Sequence, residues 1–213
     1  GLDSLFLACV TSLIIIGLVM VTSSTVDFAA TKFSNPLFFF KKQLIFIILG
    51  LVILYVITHI KTKFYYDYGK YFLLLSLIIS LLVHIPGLGV TINGATRWIN
   101  LGFFTLQVSE VSRLFFFIWL SGYISRNDFN KNYLKIFLFL SILMLAIVSQ
   151  RDFGSMILLF VAFIIFSFIS NVKIMHLFRV VILAIIPILL LIFMYPYRVQ
   201  RLLAFISPWD DPQ

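Results

Sequence analysis

Seven apolar segments, separated by polar connections of which those at 23–42 and 86–106 are the longer ones, constrain this chain more than any other feature. Each spans or nearly spans the ~30 Å hydrocarbon core of a bilayer once helix ends are added. A composition of 62% hydrophobic and 11% charged residues excludes a soluble globular domain, which carries about 25% charge. The segments cover 5–22, 43–58, 71–85, 107–124, 134–148, 155–170 and 177–195. We predict an all-α polytopic membrane protein, a single transmembrane domain over 1–213 with about seven helices.

The cations alternate between the two sides of these predicted helices. Eight Lys or Arg residues flank one side, in shorter loops, and seven flank the other. Since the positive-inside rule weighs short loops most, we place the first set and the N-terminus in the cytoplasm. The outer cations then call for an anionic partner. They are Lys32, Lys41, Lys42, Arg97, Arg151, Arg198 and Arg201.

The net charge of +8 suits anionic lipid head groups or a phosphorylated substrate. Nucleic acid is a poor fit, because the basic residues are scattered between apolar runs and form no stripe. Cys9 is the only cysteine, and the three histidines lie in different loops or span ends. We therefore predict no disulfide framework and no thiolate metal site, and we assign no metal site to the histidines.

A lone carboxylate, Asp152, lies between two charge-free stretches, 136–148 and 155–169. This predicts a hairpin between two membrane helices near one bilayer surface, where an ionisable residue is a candidate for function. Asp152 also precedes an apolar run with Ser155 three residues on, which is typical of a helix N-cap. A cap would lower the pKa of Asp152 and make it a poorer base, so both interpretations remain open.

The polar segment 86–106 is rich in Gly and carries Arg97 beside Trp98. The pair is either an interfacial anchor or a clamp, in which Arg97 binds phosphate and Trp98 stacks on a sugar or packs the loop. Arg198 and Arg201, just outside the seventh segment, are either membrane-interface anchors or phosphate ligands.

The fourth segment begins with three polar residues spaced by three, Gln107, Glu110 and Arg113. This spacing predicts one shared helix face. A Glu inside a membrane is costly unless paired, and Arg113 one turn on is a ready partner. The set indicates either a structural ion pair or the polar lining of a substrate cavity.

Four motifs, in this order, resemble the SEDS family of bacterial cell-wall membrane proteins. GATRWINLG at 94–102 resembles the family's GAxRWIxLG, and QVSEVSR at 107–113 resembles QPSExxK. QRDFGS at 150–155 resembles the family's pattern of Gln or Glu, then Pro-Asp, Leu or Phe, Gly, and Thr or Ser. YRVQRLLAFISPWDDP at 197–212 is similar to the long outer loop of the division branch, and Asn93 before Gly94 also favours that branch over the elongation branch.

Three departures from the family pattern have physical consequences. Val108 and Arg151 stand where the family has proline, which predicts two less rigid turns. Arg113 replaces Lys, which excludes any role that needs a neutral amine. Family members have about ten spans with a large outer loop after the seventh. We therefore expect this chain to be a fragment that ends inside that loop, about three helices short.

The resemblance implies a peptidoglycan glycosyltransferase that polymerises lipid II at the outer face of the bacterial cytoplasmic membrane, during division at the septum. Asp152 matches the family's essential acidic residue, the proposed general base. Arg97, Arg198 and Arg201 would bind the departing pyrophosphate, and a divalent cation could share that work although no ligand cluster demands one. A class B penicillin-binding transpeptidase, other division membrane proteins and membrane lipids are the implied partners.

Two alternatives from other classes remain open. A lipid II flippase needs a polar path through the bilayer, for which Glu110 and Arg113 are the visible charges. A scaffold for a division transpeptidase needs no catalytic group, so Asp152 would matter only to folding.

Overall fold

The computed structural model describes residues 4–92, 94–102 and 104–193, with only the backbone for 185–193. Arg198 and Arg201 lie outside the described residues. The described part contains seven helices and three short strands, which confirms the predicted helical architecture. In chain order these are α1 (Ser4–Phe33), α2 (Phe38–His59), α3 (Thr62–Leu82), β1 (Gly89–Ile92), β2 (Ala95–Asn100), β3 (Thr105–Gln107), α4 (Val108–Ile124), α5 (Phe129–Ser149), α6 (Phe153–Ile169) and α7 (Ile174–Phe193).

The chain divides into two compact units, Gly1–Thr62 and Lys63–Gln213. The prediction of one domain over 1–213 stays a prediction. In the first unit, α1 and α2 pack on each other, and the rings of Phe33 and Phe38 stack 4.1 Å apart between their centroids at the connection. Both helices are long and apolar enough to cross a membrane.

The predicted polar connection 23–42 is mostly helical, so its predicted extent is wrong. Helix α1 continues to Phe33, and α2 begins at Phe38. The hydroxyls of Thr22 and Thr25 donate to the carbonyls four residues earlier, both over 2.7 Å. Because these hydroxyls are satisfied within the helix, the polar residues do not end it.

The second unit has an apolar core formed mainly by α4, α5 and α6. Its fully buried side chains recur every three or four residues, the period of a helix face turned to its neighbours. They include Phe116, Leu120, Ile136, Leu140, Leu143, Ile147, Met156, Leu159 and Phe163. Among the described helices, α5 is the third that is long and apolar enough to span a membrane by itself, and α6 is a shorter apolar helix.

A three-stranded antiparallel sheet, in the order β1-β2-β3, occupies the segment predicted to be a loop at 86–106. A hairpin could have been predicted here, because Asn-Gly at 93–94 between β-branched and aromatic residues is typical of a two-residue hairpin turn. Gly94 has a φ of 72°, as that turn requires. One face of β2 is buried through Ala95 and Ile99, so Arg97 shares that face by strand alternation.

Candidate functional site

The connection between α5 and α6 is a tight hairpin that places Asp152 at the start of α6. Helix α5 ends at Ser149, and Arg151 adopts a left-handed conformation with a φ of 58°. The Arg151 amide donates to the Val148 carbonyl over 2.8 Å, which closes the turn. Asp152 is the N-cap of α6, and its Oδ1 accepts from the Ser155 amide over 3.3 Å. The predicted capping role is therefore confirmed.

The second carboxylate oxygen of Asp152 contacts the beginning of α4. Oδ2 accepts from the Ser109 hydroxyl over 2.8 Å and, more weakly, from Gln107 Nε2 over 3.5 Å. The Ser109 and Ser155 hydroxyls lie 3.2 Å apart. Only 4% of Asp152 is exposed. One buried carboxylate thus joins the N-terminal ends of α4 and α6, whose dipoles favour negative charge there.

Opposing effects act on the pKa of Asp152. Burial, the largest single effect, raises it, but hydrogen bonds from Ser155 and Ser109 and the positive charge of Arg97 lower it more. The net result is a pKa below the ordinary value of 3.8, so Asp152 is ionised at neutral pH. An ionised carboxylate can accept a proton, although each hydrogen bond that stabilises its charge weakens it as a base.

Two arginines tie the β1–β2 turn to the α5–α6 hairpin in a reciprocal way. Arg97 Nη2 donates to the Arg151 carbonyl over 2.5 Å, and Arg151 Nη1 donates to the Gly94 carbonyl over 2.8 Å. Arg97 Nε is buried without a hydrogen-bond partner in the described part of the chain. Arg97 thus binds the residue before Asp152 and acts on that carboxylate through its charge, while its role in binding substrate stays a prediction.

Trp98 is partly buried in β2 and lies opposite Val90 and Gln107 in the sheet register. Its proposed contact with a sugar stays a prediction, and the structure favours its packing role. Gln107 ends β3 and precedes α4, and its side chain contacts Asp152. Its role in binding substrate stays a prediction.

The predicted ion pair between Glu110 and Arg113 is absent from the described residues. Glu110 is exposed and Arg113 is half-buried, and neither donates to or accepts from the Asp152 cluster. The buried face of this turn instead carries Ser109 and Ser112. Glu110 lies in the first turn of α4, where the helix dipole stabilises a carboxylate without an ion-pair partner.

A buried polar network that the sequence patterns did not predict lies behind the hairpin. Gln150, which is 1% exposed, donates through Nε2 to the Ser80 carbonyl over 2.9 Å. The Ser80 hydroxyl contacts the Ser112 hydroxyl over 2.8 Å. Gln150 Oε1 is buried without a partner among the described residues. Serines spaced by three or four residues in apolar segments could have predicted this network, because polar side chains at that spacing share one helix face.

The described residues contain no group of three or more His, Cys, Asp or Glu side chains that could hold a metal ion. Asp152 is the carboxylate at this site, and its described partners are hydrogen-bond donors. The described partners of Asp152 therefore do not form a preformed cation site, and the possible divalent cation stays a prediction.

The family model for cell cycle proteins of the FtsW, RodA and SpoVE group matches residues 3–213. The chain belongs to this family. A probable peptidoglycan glycosyltransferase FtsW from Nitrosococcus halophilus is 35% identical over 214 residues, covering 99% of this chain and 55% of that protein. One from Thioalkalivibrio sulfidiphilus is 34% identical over 208 residues, covering 95% and 52%. The chain spans about half the length of these relatives.

Solved structures share the fold. A chain from a peptidoglycan synthase complex aligns with a TM-score of 0.65 and 19% identity, over 91% of this chain and 59% of that one. The rod shape determining protein RodA of Thermus thermophilus aligns with a TM-score of 0.60 and 19% identity, over 78% and 58%. The SEDS resemblance is therefore confirmed, and the apolar helices and the family together identify a multi-pass membrane protein.

Proposed function

We propose that the whole protein is a peptidoglycan glycosyltransferase that polymerises lipid II at the outer face of the bacterial cytoplasmic membrane during division. The observation that carries the proposal is the buried, ionised Asp152, held between the starts of α4 and α6 with Arg97 beside it. The relatives named as probable FtsW glycosyltransferases support the same activity.

In the proposed reaction, Asp152 accepts the proton of the acceptor's sugar hydroxyl. The freed oxygen forms a bond to the anomeric carbon of the donor, and the bond from that carbon to the pyrophosphate breaks. The electron pair leaves with the undecaprenyl pyrophosphate, and the anomeric carbon is inverted. This step needs a base on one face and positive charge near the leaving group.

The residues around Asp152 suit these two requirements. The carboxylate is ionised and fixed through both of its oxygens, so its orientation is set before substrate arrives. Arg97 holds the hairpin through one guanidinium nitrogen, and its Nε is unpartnered among the described residues. We propose Arg97, with Arg198 and Arg201, as the pyrophosphate ligands. Trp98, Glu110 and Arg113 remain proposed substrate contacts, and Glu110 and Arg113 have no described contact with Asp152.

The proposed setting follows from the family. We propose the septal cytoplasmic membrane as the location, with the Asp152 side facing outward. A class B penicillin-binding transpeptidase is the proposed partner, supported by the shared fold with a chain from a peptidoglycan synthase complex that coordinates polymerization and crosslinking. Other division membrane proteins are proposed as further partners.

The decisive test measures glycan-chain formation from labelled lipid II by the full-length protein with its transpeptidase. Asp152→Asn is compared with wild type at matched expression and melting temperature. Asp128→Asn is the matched control, because Asp128 also caps a helix, accepting from the Asn130 amide over 2.9 Å. Asparagine caps helices about as well as aspartate, so both variants keep their caps.

We expect polymer from wild type and Asp128→Asn, and none from Asp152→Asn. Polymer from Asp152→Asn at the wild-type rate would reduce Asp152 to a helix cap. If wild type forms no polymer but moves lipid II across liposome membranes, the flippase alternative replaces the glycosyltransferase. If wild type does neither while still binding the transpeptidase, the scaffold alternative does.

A further inference from the structure

A polar cavity lies at the opposite end of α4 from the Asp152 site. It has a volume of about 300 Å³, beside the first turns of α3 and the end of α4. From Ser109 to Tyr123, α4 rises about 21 Å at ~1.5 Å per residue. This covers most of the ~30 Å hydrocarbon core. The cavity therefore opens at the membrane interface opposite to that of Asp152.

Charged side chains of both signs and two aromatic side chains line the cavity. Its lining includes Asp67, Lys70, Trp119, Tyr123, Arg126 and Asn127. The Trp119 side chain is buried, whereas the three charged residues are exposed. Trp and Tyr favour the membrane–water boundary, and basic pockets between membrane helices on one side of a bilayer bind lipid headgroups.

Close packing of α3 and α4 shapes this cavity. A Cβ placed on Gly69 would lie 3.7 Å from the Trp119 Cα, and one on Gly122 would lie 3.7 Å from the Tyr66 Cα. Small residues at such positions let membrane helices approach through their backbones. The larger side chains at this end of α3 and α4 lie beside the contact between the two backbones, where they line the cavity.

The cations of the cavity are oriented by aromatic rings. The Arg126 guanidinium carbon lies 3.9 Å from the centre of the Tyr66 ring, and Lys70 Nζ lies 5.0 Å from that of Tyr71. No carboxylate among the described residues pairs with either cation, and Asp67 pairs with no described cation. A stacked guanidinium keeps its N–H groups free to bind an anion in its plane.

We propose that this cavity binds the headgroup of a membrane phospholipid that carries both a phosphate and an amine, such as phosphatidylethanolamine. Lys70 and Arg126 bind the phosphate. Asp67 binds the ammonium group, and the rings of Trp119 and Tyr123 supply a face for it. The cavity requires nothing of the reaction at Asp152, so the two proposals stand independently.

The mixed charges of the lining distinguish this headgroup from others. A purely anionic headgroup such as phosphatidylglycerol would satisfy Lys70 and Arg126 but leave Asp67 facing added negative charge. A headgroup with phosphate and a primary amine satisfies all three charges, with N–H donors for the carboxylate. Asp67 is therefore the residue that favours a headgroup with an amine.

Native mass spectrometry of the detergent-purified full chain tests this proposal. The probes are phosphatidylethanolamine and phosphatidylglycerol with the same acyl chains, and soluble glycerophosphoethanolamine without them. We expect wild type to retain phosphatidylethanolamine about tenfold more tightly than phosphatidylglycerol, as one charge-assisted hydrogen bond allows. Asp67→Asn should remove that preference, and Lys70→Ala should weaken both lipids about tenfold.

Lys173→Ala is the matched control, because Lys173 is an exposed cation in the α6–α7 connection outside the cavity lining. It should leave retention of both lipids unchanged. Equal retention of the two lipids by wild type, or an unchanged preference in Asp67→Asn, would overturn the proposal. Tighter binding of glycerophosphoethanolamine than of the lipid would identify a soluble ligand instead. The substituted residues are exposed, so unchanged melting temperatures are expected for all variants.

Discussion

The Ser109 hydroxyl donates to Oδ2 of Asp152 over 2.8 Å, across 43 positions of sequence. This contact joins the first turn of α4 to the cap of α6, and both residues are buried. Because a hydrogen bond to a buried charge contributes about 1.5–3 kcal/mol, the contact both stabilises the fold and holds the carboxylate ionised. Removal of the Ser109 hydroxyl is therefore expected to change both the stability of the fold and the ionisation of Asp152.

Replacing Ser109 with Ala should lower the free energy of unfolding by about 1.5–3 kcal/mol at neutral pH and raise the pKa of Asp152. In wild type the pKa of Asp152 is lower in the folded protein than its ordinary value of 3.8. The ionised carboxylate therefore contributes its full stabilisation above pH 3.8, and this stabilisation is lost as the pH falls through the folded-state pKa. The difference in melting temperature between wild type and Ser109→Ala should therefore be largest at neutral pH and shrink in acid. Thermal melts in detergent at several pH values measure it.

Ser121→Ala is the control for this prediction. Ser121 lies on the same helix, is exposed, and donates to the Ile118 carbonyl within its own helix. Its melting temperature should follow that of wild type at every pH. A difference between Ser109→Ala and wild type that stays constant with pH would contradict the link to Asp152.

Glu110→Gln and Arg113→Met should act independently on stability. The two side chains form no ion pair in the structure, and groups without a shared partner show additive effects. We expect the double variant to equal the sum of the single ones within about 0.5 kcal/mol. Denaturation of the four proteins measures the coupling, and a larger coupling would restore the ion pair as an interpretation of this spacing.

The parts of the site predicted from sequence are those that depend on local patterns. Asp152 and Ser155 lie three residues apart before an apolar run, so the cap follows from spacing alone. The contact of Ser109 with Asp152 and that of Gln150 with Ser80 depend on how separate helices pack. The interpretation of Glu110 and Arg113 as an ion pair was wrong for a related reason. Helical spacing permits a contact between two side chains, but tertiary structure decides whether it forms.

Gly89→Ala should destabilise the small sheet. A Cβ at Gly89 would lie 2.1 Å from the Val83 carbonyl oxygen and 2.7 Å from Thr96 Cγ2. Since backbone must move to admit it, we expect a loss of about 1–3 kcal/mol and reduced polymerisation through displacement of Arg97. Gly154→Ala is the control, because a Cβ there meets nothing within 4 Å and helix propensity favours Ala. Equal melting temperatures for the two variants would contradict the close approach at Gly89.

Restoring the two family prolines should have opposite outcomes. Arg151 has a φ of 58° and donates its amide to the Val148 carbonyl, whereas proline has a φ near −65° and no amide hydrogen. Arg151→Pro should therefore cost about 3 kcal/mol or more. Val108 is the first residue of α4, a position that proline suits. Val108→Pro should therefore have nearly the wild-type melting temperature, with only a small change from altered side-chain packing.

Arg151→Gly separates the backbone of this turn from its side chain. Glycine adopts positive φ without strain and keeps the amide, so this variant loses only the guanidinium contact with Gly94. We expect its melting temperature to lie between those of wild type and Arg151→Pro. If Arg151→Pro were instead as stable as wild type, the hairpin would follow the backbone path of the family's proline, and Asp152 would be held by a turn of a different kind.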